Sequence, residues 1–260
     1  MTKTIQNREM TFGESNNGGK KGSFERGAQL LQLVLEQLES AGVQYCIARN
    51  YEGYPDVITG DVDIIVSAEK LNKAVRITNK IAINNGWKPY ITYTTHQAAH
   101  LGFFTNINTD RFVLVIEFAI GGIWRSFFYL NGNSVIKKRI KHENNIWKPH
   151  PAHELTITLV HHLLYNSCVY DKYRGRINRL FEESRSEIIN ILGGAFGIRI
   201  AKRIFYFLDI KDWKKIEGLS NRMRFFLVVN RLFKNPLNII NLIKLNLEIR
   251  HKPRGMAIFI

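Results

Sequence analysis

Polar residues dominate the first 24 positions, and from Glu25 another pattern takes over, with Ala28, Leu30, Leu31, Leu33, Val34, Leu35 and Leu38 recurring at helical spacing. Gly42 follows where a helix-ending glycine belongs. The spacing predicts a first helix from Glu25, and residues 1–24, rich in Gly, Asn and Lys, are expected as a flexible arm. Residues 43–48 read as a short buried strand, 49–60 as a turn-rich segment carrying Gly53, Pro55 and Gly60, and 61–66 as the next strand. Ser67 is placed to cap a second helix, whose apolar positions Leu71, Ala74, Val75, Ile77, Ile81 and Ala82 end near Asn85 and Gly86. Two further strands are predicted over 88–94 and 100–105, then a turn over 106–110 and the most apolar strand of the chain, RFVLVIEFAI. This order predicts a mixed sheet with helices packed on one side, in the α/β (α+β) class.

The texture changes after Trp147. Pro149 and Pro151 mark a break, a long helix is predicted from Ala152 or His153, and the remainder is helical in pattern, punctuated by Gly175, Gly193, Gly194, Gly197, Gly218 and Pro236. The expected organisation is an arm over 1–24, a sheet domain over 25–148, an all-helical domain over 149–250, and a tail or the start of a further domain over 251–260.

At 260 residues and 45% apolar content the chain can bury a substantial core. Its net charge of +15 favours anionic partners. Before Pro151 there are 18 basic and 13 acidic residues, and from Pro151 onward 19 and 9, so the excess is heavier in the helical part. There Arg199, Lys202, Arg203, Lys214, Lys215, Arg222, Arg224 and Arg231 are interleaved with apolar residues, which fits either solvated helix faces or a phosphate- or membrane-facing groove. Two cysteines, Cys46 and Cys168, each in apolar surroundings, argue against a disulfide framework or a cysteine metal site. With no signal-like apolar core near the N-terminus and no long uninterrupted apolar run, the expectation is a soluble, cytoplasmic protein.

Chemistry concentrates in DVDIIV. Asp61 and Asp63 are two residues apart on a predicted strand, so both carboxylates lie on one face about 7 Å apart along the chain. Two anions so placed repel each other unless they share a cation, and a hard divalent ion that also takes substrate phosphates suits them. A third carboxylate, Glu117, sits inside VLVIEFAI, where an unpaired charge is expensive. If that strand lies beside DVDIIV, three oxygen donors converge for metal-assisted phosphoryl or nucleotidyl transfer. An Asp-x-Asp pair at a strand edge or turn is the plain structural alternative.

The stretch CIARNYEGYPDVITGDVDIIV resembles the signature of the DNA polymerase beta type nucleotidyltransferase superfamily, in a bacterial branch that reads Arg-Asn-Tyr-Glu, a short linker, then Asp-x-Asp. The resemblance spans about residues 28 to 125. It implies a nucleotidyltransferase-type sheet domain, a nucleoside triphosphate substrate, magnesium or manganese as cofactor, and Asp61, Asp63 and Glu117 as catalytic metal ligands. Arg49 and Asn50 stand where the wider superfamily has a Gly-Ser pair that binds the triphosphate. With Gly60 they are the candidate nucleotide-binding residues, Arg49 as a bidentate phosphate contact. The implied reaction moves a nucleoside monophosphate to an acceptor hydroxyl or phosphate, on a small molecule, a glycan or a protein. The rival is a non-catalytic nucleotide-binding or partner module, for example of a kinase or a polysaccharide-assembly enzyme. Binding of nucleic acid draws on the charge alone. At the C-terminus HKPRGMAIFI resembles the basic linker and first strand of P-loop kinases, and some relatives in this branch carry a thymidylate-kinase-like domain there. No Gly-x-x-x-x-Gly-Lys-Ser/Thr sequence is present.

His153, Glu154, His161 and His162 lack the His-Glu-x-x-His spacing of zinc hydrolases, which favours a helix that packs one histidine of the adjacent pair and exposes the other. A substrate-side role is left open for His161. Tyr170, Lys172, Tyr173, Arg174 and Arg176 form a basic, aromatic cluster that suits a phosphate or acceptor contact across a cleft, or equally a surface loop. Helices predicted over 219–233 and 237–249 suit bundle packing or peripheral membrane docking.

Overall fold

The computed structural model describes residues 17–58, 60–107, 110–234 and 240. Its first helix, α1 (Asn17–Ser40), packs Leu30, Leu31, Val34, Leu35 and Leu38 into the interior, as the spacing predicts. The helix begins at Asn17, not at Glu25, so the last eight residues of the expected arm are helical. Once the apolar stripe has nucleated the helix, each further residue adds a hydrogen bond at low cost, and no periodicity is needed. Gly42 ends it at φ 68°, where the Val43 N–H reaches back to the Leu38 carbonyl at 2.8 Å. That is the left-handed closure only glycine makes without strain.

Five strands form one mixed sheet: β1 (Tyr45–Ile47), β2 (Val62–Val66), β3 (Lys88–Thr94), β4 (Ala98–Ile107) and β5 (Asp110–Ala119), in the spatial order β1-β2-β5-β4-β3. β2 and β5 run parallel, and every other neighbouring pair is antiparallel. α2 (Leu71–Asn84) connects β2 to β3 and ends as its pattern predicts. Ser67 does not cap it: a 3-10 turn over Ala68–Lys70 intervenes, and the Ser67 hydroxyl is engaged with Glu69.

Alternation along the strands sorts the interior into two cores. Val62, Ile64, Ile116, Phe118, Leu101 and Phe103 face α1 and α2. Cys46, Ala48 and Ile65 point the other way, into a second core built with the C-terminal helices. Helices therefore cover both faces at the β1–β2 end, which corrects the expectation of a one-sided sheet. The reason lies in β2, whose apolar residues on both faces demand cover on both. Further along, Val113 and Tyr90 remain exposed.

Residues 121–148, to which the pattern assigned no element, hold a hairpin of β6 (Gly121–Trp124) and β7 (Phe127–Asn131), a short α3 (Gly132–Lys137), and the two-residue pair β8 (Ile140–Lys141) and β9 (Trp147–Lys148). Strands this short complete no recognisable period. The helical part follows: α4 (Pro151–His161) with Pro151 in its first turn, a π-helical turn (His162–Asn166), α5 (Asp171–Phe196), α6 (Ile198–Asp209), α7 (Trp213–Glu217) and α8 (Ser220–Lys234). Gly175, Gly193 and Gly194 lie inside α5 and do not break it; Gly197 does. No described helix is long and apolar enough to cross a membrane. The helix expected over 237–249 and the segment 251–260 lie outside the described residues, Ile240 excepted.

Candidate active site

Strand register brings the acids together. Asp63 on β2 lies directly opposite Glu117 on β5, Glu117 opposite His100 on β4, and His100 opposite Tyr93 on β3. One polar row thus crosses four strands on the face turned from α1 and α2, with Asp61 one step before β2. The Arg49 Nε donates to Asp63 Oδ2 at 2.7 Å, and His100 Nδ1 meets Glu117 Oε1 at 2.8 Å. Sequence reasoning missed His100, because only the pairing of β4 with β5 places it there.

Asp61, Asp63 and Glu117 line one cleft of about 890 Å³ together with Arg49, Asn50 and Gly60, so the six residues singled out from the sequence share a single space. Lys172, Tyr173, Arg176 and Arg179 of α5 and His161 of α4 line the same cleft, as does Glu52. Arg179 was not foreseen, although Lys172, Arg176 and Arg179 repeat at i, i+4 and i+7 and so share one helix face. Arg174 and Tyr170, from the same basic cluster, do not line the cleft; Arg174 pairs instead with Asp171 at 2.8 Å and Glu217 at 3.3 Å.

The loop between β1 and β2 is held from both sides. Asn50 takes a left-handed backbone at φ 57°. The Asn144 side-chain amide donates to the Tyr54 carbonyl at 2.8 Å and to the Glu52 carbonyl at 3.2 Å. The Tyr51 hydroxyl donates to Glu154, a carboxylate only 1% exposed. Arg176 completes the network, its Nε donating to Glu154 Oε1 at 2.7 Å and its Nη1 pairing with Glu52 at 2.8 Å. One cation of the cleft is thereby fixed on a buried anion.

Burial, joined by repulsion from Glu117 and Asp63, raises the Asp61 carboxyl above its ordinary range. Asp63 is also raised, because burial outweighs its bond to Arg49. Burial likewise opposes the Arg49 charge, but Asp63 more than compensates and the guanidinium is held more firmly charged. Burial, with the Arg49 charge adding to it, pushes His161 down to about 3 and His162 to about 4, so both imidazoles are neutral at pH 7. His162 is buried and His161 half-buried on the cleft wall.

Carboxylates are hard oxygen donors of the kind a divalent cation takes. Among the described residues, no three His, Cys, Asp or Glu side chains form a ready-made metal group, and Asp63 and Glu117 are bonded to Arg49 and His100. Three hard oxygen donors that form no closed protein cage could take Mg²⁺ or Mn²⁺ only together with other ligands such as phosphate oxygens.

The fold and site define a mixed α/β chain with a helical C-terminal part and a cleft lined by acids and cations. No known protein-family pattern matches the sequence, and no curated protein matches it. Among solved structures the chain is similar to JHP933 from Helicobacter pylori, at 14% identity and a TM-score of 0.40, over 84% of this chain and 97% of that one. It is also similar to an H. pylori protein provisionally named a nucleotidyltransferase, at 12% identity and a TM-score of 0.38, over 82% and 97%.

Proposed function

We propose that this chain is a nucleotidyltransferase that moves a nucleoside monophosphate from a nucleoside triphosphate to an acceptor and releases pyrophosphate. The observation that carries the reading is the alignment of Asp63 with Glu117, joined by Asp61, in one cleft with Lys172, Arg176 and Arg179. Carboxylates and cations lining one cleft suit a polyanion bound partly through metal and partly directly. Asp61, Asp63 and Glu117 would hold Mg²⁺ or Mn²⁺, which when bound polarises the phosphorus centre and offsets charge on the attacking and leaving oxygens.

The chain's own groups do the rest. Lys172, Arg176 and Arg179 take the β- and γ-phosphate oxygens, with Arg176 kept in place by Glu154. Arg49, whose Nε is committed to Asp63, offers its terminal N–H groups to phosphate. Asn50 and Gly60 border the same space. Glu117, oriented by His100, or Asp63 accepts the acceptor's proton.

Titration calorimetry with each of the four ribonucleoside triphosphates in magnesium tests the reading. Binding that Asp61→Ala and Asp63→Ala each weaken at least tenfold is the expected result, and no binding by any triphosphate overturns it. The second reading, a non-catalytic nucleotide-binding module, is favoured by the Arg49–Asp63 ion pair, which already occupies one metal-ligand candidate. Magnesium-independent binding that both variants retain would select it.

A further inference from the structure

Along the acid row lies a second cavity, of about 380 Å³, that shares Arg49, Asp63, Glu117 and His161 with the main cleft. The sheet face forms one side of it, the β6–β7 hairpin another, and α4 with the π-helical turn the third, through Ile157, Tyr165 and Asn166. The two spaces meet at the reacting acids and differ in charge. The main cleft carries Lys172, Arg176 and Arg179; the second holds no Lys and no Arg apart from the shared Arg49, and no carboxylate apart from the shared pair. Its walls are apolar side chains with a few polar groups, and its volume lies at the lower end of the roughly 300–1,000 Å³ range of small-molecule sites.

Resting on the transferase reading, we propose that this second cavity is the acceptor site and that it takes a neutral, hydroxyl-bearing small molecule or the neutral hydroxyl-bearing end of a larger one. The argument from direction comes first. Displacement at phosphorus places the attacking and leaving oxygens roughly in line on opposite sides. With the leaving phosphates on the cations of α5, the acceptor oxygen approaches from the side away from α5, and this cavity is lined by β3, β4, the hairpin and α4 with no residue of α5.

Charge decides the chemical class. An anionic acceptor would find no Lys on these walls and no Arg besides Arg49, which the transferase reading already assigns to the triphosphate, whereas the α5 cations line only the main cleft. A neutral hydroxyl meets groups suited to it. Ser126, 7% exposed, lines the cavity, and among the described residues its Oγ has no hydrogen-bond partner. A buried hydroxyl without a partner is costly, and a turn of the Ser126 side chain toward a bound hydroxyl would remove that cost. Gln97, also lining the cavity, spends its amide N–H on the Ser126 carbonyl at 3.2 Å and so holds the serine's backbone at the wall. The Tyr165 hydroxyl donates to the Ile123 carbonyl at 2.9 Å, which joins the helical side of the cavity to the hairpin.

The experiment uses the full chain and saturation-transfer NMR. The probes are phenol, myo-inositol and glucose, each set against its phosphorylated counterpart: phenyl phosphate, inositol phosphate and glucose 6-phosphate. Ala98→Trp and Ile123→Trp fill the cavity from two different walls, and Ser126→Ala removes only the unpaired hydroxyl. The expected result is that at least one neutral probe binds better than its phosphorylated form, loses tenfold or more in both filled variants, and loses severalfold in Ser126→Ala. All three variants should keep their magnesium–triphosphate affinity within twofold, which also shows that they fold. Triphosphate binding with no uptake of any neutral probe, a preference for the phosphorylated forms, or uptake that the filled variants leave intact would overturn the acceptor assignment. Failure of the transferase reading looks different: the native chain then binds no triphosphate at all, and the acceptor assignment falls with it.

Discussion

Asp61 concentrates the site's physics in one side chain. Its carboxyl is raised by burial first and then by Glu117 and Asp63, so the folded chain keeps a proton on it that the unfolded chain has already lost. The stability from that proton is present at low pH and disappears as pH rises from the ordinary value of 3.8 through the raised one. Above that window the carboxylate is a standing cost to the fold. Asp61 is exposed, so water screens most of that cost, and Asp61→Asn is expected to raise the metal-free Tm only slightly at pH 7, with the gain fading as pH falls below the ordinary value. Magnesium should raise the Tm of the native chain more than that of the variant. Thermal melts at pH 3.5, 5 and 7, with and without magnesium, check both points, and an equal magnesium response in the two proteins would count against Asp61 as a ligand.

Among the elements, the joint between α5 and α6 has a demanding backbone. Gly197 sits there at φ 82°, and a Cβ on it would come within 2.7 Å of the Phe226 ring. A side chain at that position meets both an unfavourable backbone and a displaced aromatic ring. Gly197→Ala should cost about 1–3 kcal/mol, read as a lower urea midpoint with an unchanged slope. Because Gly197 lines neither cavity, triphosphate affinity should not change.

For the whole molecule, the join between the two cores matters most. Tyr51 belongs to the core under α1 and α2, whereas Leu155, beside Glu154, belongs to the helical core. The Tyr51–Glu154–Arg176 network therefore fastens one core to the other and aims a cation into the cleft. Glu154→Ala leaves Arg176 without its buried partner and should destabilise the fold by about 3–5 kcal/mol. Tyr51→Phe removes one hydrogen bond and leaves the ion pair, at about 1–2 kcal/mol. Chemical denaturation gives both values, and an equal loss in the two variants would refute the division of roles.

Much of this protein is legible along the chain because its signals are local. The α1 stripe, the alternation in DVDIIV and the charge inside VLVIEFAI depend on neighbours two to four residues away, and helix and strand geometry turn those spacings into faces. The candidate acids and the α/β class were therefore readable. Partners across strands were not: His100 faces Glu117, and Tyr51 reaches Glu154 from 103 residues away, through pairings that no local period encodes. The hairpin over 121–131 was hidden for a related reason, its strands being too short to complete a period. Only the tertiary structure decided that helices cover both faces of β2, that Arg174 turns from the cleft while Arg179 enters it, and that a second cavity with no Lys and no further Arg or acid beyond the shared ones opens along the acid row. Each of those outcomes is set by which surfaces pack together, and packing joins residues that the sequence keeps apart.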